Sequence, residues 1–180
     1  MSPKITISGP PGSGKSTVAR LLAEWLSVPF YSAGTIFREQ AQRAGLSLEE
    51  FSRRAEEDEA IDRALDDEML RLLREKESGV FEGRLTGWLA YTHKIPALKV
   101  YLDAPLEVRV QRIQNRERSE DPQAIREAVL ARERSEAKRY KHLYGVDVKD
   151  TSFYDLVVDT SALSPEGVGE RILAALRQEG

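Results

Sequence analysis

Apolar residues along this chain recur at two spacings, and each change of spacing marks an element. Lys4–Ser8 carries Ile5 and Ile7 at strand period, and Val18, Leu21, Leu22, Trp25 and Leu26 then repeat at helical period. This predicts a strand followed by a helix over Thr17–Leu26 with one buried face. Short β-rich runs at Val28–Tyr31, Val80–Glu82, Lys99–Leu102 and Asp155–Val158 predict four further strands. Helix starts are also marked: Ser47-x-x-Glu50 is a capping box, Pro105 sits where a first turn would begin, and Ser164-Pro165-Glu166 opens the last helix. Strands alternating with helices imply an α/β fold, a doubly wound, five-stranded parallel sheet with helices on both faces. Two longer helical stretches interrupt the alternation, roughly 35–78 between strands two and three and 117–145 between strands four and five. At 180 residues the expectation is a single domain spanning 1–180.

Composition removes several function classes. Hydrophobic residues make up 41% and charged residues 32% of the chain, values usual for a soluble globular protein. No run approaches the roughly 18 apolar residues of a membrane span, and the N-terminus enters a strand directly instead of a signal peptide. A cytoplasmic protein without a membrane partner is therefore expected, and a monomer. The absence of cysteine excludes disulfides, thiolate zinc sites and cysteine nucleophiles. His93 and His142 are isolated and read as surface or helix-packing residues. The net charge of −3 hides two opposed segments: Glu49–Glu77 holds 12 acidic and 6 basic residues, Arg109–Lys141 holds 10 basic and 6 acidic. In the basic segment the arginines alternate with Glu117, Glu120, Asp121, Glu127, Glu133 and Glu136 without an aromatic stacking series. Small polyphosphates, not nucleic acid, are the expected partners.

The chemistry is concentrated where strands end, the place at which open parallel sheets bind ligands. After the first strand, Gly9-Pro10-Pro11-Gly12-Ser13-Gly14-Lys15-Ser16 fits the phosphate-loop pattern G-x-x-x-x-G-K-[ST]. Pro10 and Pro11 have no N–H, so the amides of Gly12 to Ser16 must wrap the phosphate at the next helix N-terminus. Lys15 then faces the β- and γ-phosphates and the Ser16 hydroxyl is the candidate Mg²⁺ ligand, which makes a nucleoside triphosphate the expected ligand. After the second strand, Ser32-Ala33-Gly34 allows close approach and Arg38, one helical turn on, is a candidate fork for a second substrate's phosphate. After the third, Glu82-Gly83-Arg84 presents an acid, a flexible glycine and another arginine. Glu82 reads as holder of a Mg²⁺-bound water, as a partner orienting Arg84, or as an ordinary strand-end carboxylate. After the fourth, Asp103 reads either as a Mg²⁺ partner or as a helix cap. Arg112 and Arg116 share a helical face from which they could meet the triphosphate or stack on its base. Finally Ala131–Tyr140 places Arg132, Arg134, Lys138 and Arg139 densely on one helix, where mobile arginines could close over the phosphates.

Taken in order, these segments resemble the nucleoside monophosphate kinases. GPPGSGKSTVARLLAE, YSAGTIFR, FEGRLTGW, ARERSEAKRY and YGVDVKDTSFYDLVVDTS are most similar to the short, archaeal-type cytidylate kinases, in register along nearly the whole chain. The resemblance implies a phosphate-loop core with a monophosphate-binding insert (35–78) and an arginine-rich lid (117–145). It implies transfer of the γ-phosphoryl group of ATP to CMP or dCMP with Mg²⁺. It assigns Gly9–Thr17 to ATP, Arg38 and Arg84 to the acceptor phosphate, and Arg116, Arg132 and Arg134 to the transferring group; Arg139, in the same cationic cluster, is a further candidate substrate contact. The longer bacterial cytidylate kinases carry an aspartate directly after the motif arginine, where this chain has Leu85, and a larger insert. The base reader is therefore to be sought among Ser32, Asp62, Asp66 and Thr86, since an acid can accept from the cytosine amino group. For Asp62 and Asp66 a solvated face of the acidic helix is the competing reading. Kinases of AMP, UMP or shikimate, a nucleotide-binding switch and a nucleic-acid end kinase are the alternatives.

Overall fold

A computed structural model of the chain describes residues 3–118 and 121–180, so Ser119 and Glu120 of the 117–145 segment lie outside it. Five strands form one parallel sheet: β1 (Lys4–Ser8), β2 (Phe30–Ser32), β3 (Gly79–Glu82), β4 (Leu98–Asp103) and β5 (Leu156–Asp159), in the order β2-β3-β1-β4-β5. Ile5 pairs with Val80 on one side and Leu98 on the other, and Val100 with Leu156. β1 is thus central, and its carboxyl end lies where the connections leave toward opposite edges, the position at which such sheets open a crevice.

The helices are α1 (Lys15–Leu26), α2 (Ala33–Arg43), α3 (Leu48–Glu57), α4 (Glu59–Glu75), α5 (Thr86–Thr92), α6 (Leu106–Glu117), α7 (Pro122–Tyr144) and α8 (Pro165–Glu179). α1 and α8 cover one face, where Ile5, Ile7, Leu22, Val100, Leu102 and Ile172 are buried together. Each such side chain contributes about 1.5–3 kcal/mol relative to exposure. On the other face Phe81, Leu85, Leu89, Met69, Leu73 and Tyr140 form a second cluster that joins α4, α5 and α7 to the sheet. A third, of Val110, Ile113, Ile125 and Val129, pairs α6 with α7.

Local signals behave as the sequence suggests at most helix starts. Ser47 and Glu50 close a reciprocal capping box, and Ser164 accepts from the Gly167 N–H with Pro165 in the first turn. Three expectations shift. Val28 does not open β2: its N–H closes α1 on the Ala23 carbonyl, with Ser27 left-handed at φ 53°, and Pro29 offers no N–H, so the strand begins at Phe30. Trp25 is 40% exposed, not buried, although its ring packs over Gly169 of α8, where a Cβ would come within 2.7 Å. Pro105 caps α6 instead of entering its first turn.

Candidate active site

Two glycines of the loop from β1 to α1 leave no room for anything larger. A Cβ at Gly9 would sit 2.2 Å from the Leu102 carbonyl oxygen, and one at Gly12, left-handed at φ 79°, would sit 2.8 Å from that of Arg109. The loop closes through the Ser13 N–H on the Pro10 carbonyl, and α1 starts directly at Lys15, leaving its first amides without helical acceptors. Arg109, buried in α6, holds this loop from behind: it donates to the Pro11 carbonyl at 3.2 Å, to the Ala104 carbonyl at 3.0 Å and to Glu133 at 2.6 Å. Lys15 folds back on the Pro10 carbonyl at 3.5 Å. Burial pulls its pKa down to about 8, with Glu82 and Glu136 opposing the shift and Arg132 and Arg84 adding to it.

Those four partners define the centre of a cleft of about 1170 Å³ that opens beside the loop. Single-ligand pockets run to roughly 300–1,000 Å³, so there is room for more than one small substrate. Glu82, buried at the tip of β3, accepts from Ser32 Oγ at 3.0 Å, and Ser32 also caps α2 by accepting from the Thr35 N–H. Arg84 donates from Nε to Glu136 Oε2 at 2.8 Å, while Arg132 reaches the other oxygen of the same carboxylate at 3.0 Å. Burial works against the charge of both Arg84 and Glu136 and is the largest single influence on each, yet their mutual attraction together with Tyr101 and Tyr140 around the arginine, and with Arg132 and Lys15 around the glutamate, leaves the arginine above and the glutamate below its ordinary pKa.

Of the residues singled out in the sequence, Pro11, Gly12, Lys15, Ser16, Ser32, Gly34, Arg38, Glu82, Gly83, Arg84, Arg116, Arg132 and Arg139 all line this cleft. Arg38 is exposed and donates only to Thr35 Oγ1 at 3.2 Å; Arg116, also exposed, has Glu117 at 3.8 Å. Gly9, Pro10, Ser13 and Gly14 shape the loop without lining the cleft, and Thr17 lies exposed in the first turn of α1. Three expectations need correction. Asp103 neither lines the cleft nor caps α6: its carboxylate accepts from the Ala104 N–H at 2.9 Å. Arg112 separates from Arg116, because it is tied to Thr160 at 2.8 and 2.7 Å and to the Gly12 carbonyl at 3.3 Å, bracing the loop from the β5 side. Arg134 points away from the cleft; two residues beyond Arg132 is about 200° around a helix.

Sequence reasoning missed Glu136, whose signal was its i,i+4 spacing from Arg132, and it left Asp62 and Asp66 open. Both aspartates are buried on the cleft face of α4, not on a solvated face. Asp62 Oδ2 lies 2.7 Å from Arg139 Nε, and Asp66 Oδ2 accepts from the Tyr144 hydroxyl at 2.7 Å. Burial pushes Asp62 up, with Arg139 pulling it part of the way back, and pushes Asp66 up to about 7. His93 and His142 are exposed, beside Arg74 and Glu59. Among the described residues no group of three or more acids, histidines or cysteines could hold a metal alone. Ser16 and Glu82 both line the cleft.

A parallel sheet, a glycine loop closed on a helix N-terminus and a second bank of arginines across one cleft define a phosphate-loop kinase of small acceptors. The chain belongs to the cytidylate kinase-like family, which it matches over residues 4–162. It is 42% identical to the cytidylate kinase of Sulfolobus acidocaldarius over 98% of this chain and 95% of that one. It is 47% identical to the cytidylate kinase of Methanothrix thermoacetophila, covering 96% and 97%. Among solved structures, the shikimate kinase of Aquifex aeolicus superposes with a TM-score of 0.61 at 28% identity, covering 98% of this chain and 97% of that one.

Proposed function

We propose that the protein is a cytidylate kinase that transfers the γ-phosphoryl group of ATP to CMP or dCMP, releasing ADP and CDP or dCDP. The observation that carries this reading is a single cleft joining the Lys15 loop to Arg38 and Arg84 on its far wall, more cationic machinery than one triphosphate requires. The nearly full-length similarity to cytidylate kinases supplies the acceptor.

An acceptor phosphate oxygen attacks the γ-phosphorus, the bond to the β–γ bridging oxygen breaks, and that oxygen leaves on ADP. Little covalent work falls to the protein, so positioning and charge do the catalysis. The amides of Gly12 to Ser16 cradle the donor phosphates, and their negative charge keeps Lys15 protonated despite its burial. Arg38 and Arg84 hold the acceptor phosphate, and Arg116 and Arg132 reach the transferring group from the lid side. Mg²⁺, when bound, neutralises the β- and γ-phosphate oxygens, with Ser16 and Glu82 as the residues fitted to hold it or its waters. Residues 35–78 act as the monophosphate-binding insert and 117–145 as the lid, closing over both nucleotides and excluding water. One chain supplies every group named, so a monomer suffices, and the absence of cysteine fits the reducing cytoplasm. No helix among the described residues is long and apolar enough to cross a membrane.

The test is ADP release with Mg²⁺ and ATP against CMP, dCMP, UMP, AMP, GMP and shikimate. A rate confined to CMP and dCMP is expected. Preference for another acceptor would replace the substrate, and silence with all of them would remove the kinase reading.

A further inference from the structure

If the acceptor is a cytidine nucleotide, something in the cleft must tell cytosine from uracil, and Leu85 occupies the position directly after Arg84. Resting on that reading, we propose that the ion pair of Asp62 and Arg139 reads the base. The carboxylate accepts from the exocyclic amino group, and the guanidinium donates to N3 and O2.

The two side chains stand side by side in the cleft wall, Oδ2 to Nε at 2.7 Å, and Arg139 is steadied by Ser135 Oγ at 2.5 Å. Each keeps polar capacity to spare: the second oxygen of Asp62, and the remaining N–H groups of Arg139. Phe37, Leu65, Met69 and Leu89 line the same cleft and give it apolar walls suited to a flat ring. Placement along α7 agrees. Arg132 and Glu136 mark the phosphate level, and Arg139 lies seven residues past Arg132, about 10 Å along the axis. That is comparable with the reach from phosphate to base in one mononucleotide. The pair is not needed as a strut between α4 and α7, which are already joined by Asp66 with Tyr144 and by packing of Met69 and Leu73 with Tyr140.

The chemistry is selective because acceptor and donor are adjacent. Cytosine offers a donor at N4 and acceptors at N3 and O2. Uracil reverses the first two, setting O4 against a carboxylate and N3–H against a guanidinium. A buried site built to pair with such groups rejects the mismatched analogue strongly, by up to about 10⁴–10⁵-fold in favourable cases.

The experiment compares kcat/KM for CMP and UMP in the wild type, Asp62→Asn and Arg139→Gln, with CMP affinity by calorimetry and melting curves as a check on folding. An asparagine can turn either its carbonyl or its amide to the base. Asp62→Asn is therefore expected to weaken CMP binding at least tenfold, to spare or improve UMP, and to close the CMP/UMP ratio at least tenfold. Arg139→Gln is expected to do the same, and it decides the matter should Asp62→Asn fold poorly. Equal losses for both nucleotides, with the ratio unchanged, would reduce the pair to a structural link and overturn the inference while leaving the kinase reading intact. A wild type silent with CMP would remove the reading and the inference together.

Discussion

Arg84 and Glu136 meet at 2.8 Å, from β3's end and from α7, with side chains 10% and 6% exposed. Neither charge has water to fall back on, so Arg84 depends on Glu136, and Glu136 on Arg84 and Arg132 together. Replacing Glu136 by Gln is expected to destabilise the empty protein by about 3 kcal/mol, and Arg84→Met similarly, with the double variant well short of the sum. CMP should raise the melting temperature of Glu136→Gln more than that of the wild type, because the acceptor phosphate takes over the lost charge. Additive losses, with no excess rescue by CMP, would contradict the coupling.

Lys15 is held charged against its surroundings. Its folded pKa, near 8, lies below its unfolded value, so at neutral pH the unfolded chain holds the proton more readily and the lysine destabilises the fold. That penalty should relax as pH rises through 8. Lys15→Met is expected to abolish measurable turnover, a loss of several orders of magnitude, while stabilising the empty protein at pH 7 by at most about 3 kcal/mol. Near-normal turnover in the folded variant would dismiss the phosphate-loop assignment.

Arg38 and Arg84 should separate the two substrates kinetically. Arg38→Ala, at an exposed position, is expected to leave the melting temperature unchanged and to raise KM for CMP about tenfold with little effect on ATP. Arg84→Ala should lower kcat as well. Were the ATP requirement to rise in place of the CMP requirement, the two sites would have to be exchanged.

Asp66 offers a pH signature. Its folded pKa of about 7 exceeds the unfolded value near 3.9, so between them the native state keeps a proton that the unfolded state has lost. Wild-type stability from this group therefore falls as pH rises from about 4 to about 7. Asp62 and Asp67 face it with like charge, Arg139 with opposite charge, and Tyr144 donates to it. Asp66→Asn, which still accepts from Tyr144, is expected to melt several degrees above the wild type at pH 8 and level with it near pH 4. A gap that does not change with pH would exclude the buried carboxyl as its source.

What the sequence made legible was what is local. The phosphate loop is contiguous, and Glu82, Arg84 and Arg38 announce themselves because they lie at a strand's tip, just past it and one helical turn into the next helix, where strand ends must converge. Residues defined by distant partners were harder. Arg112 and Arg116 look equivalent on a helical wheel, and only Thr160, 48 residues on, separates them. Asp62 looks like one more surface acid until α7 is laid against α4 and Arg139, 77 residues away, closes on it. Val28 failed for a smaller reason: its strand propensity lost to the need to cap α1.

The 23 residues of α7 make contact at three levels, through Glu133 with Arg109 behind the donor loop, through Glu136 with Arg84, and through Arg139 with Asp62. A helix of that length is a stiff rod of about 35 Å. Any tilt of the rod is felt at all three levels at once, so nucleotides bound as proposed would not be independent guests. By linkage, whatever factor ATP adds to the affinity for the acceptor, the acceptor must return to ATP, which on the proposed placement would make the enzyme a detector of simultaneous occupancy.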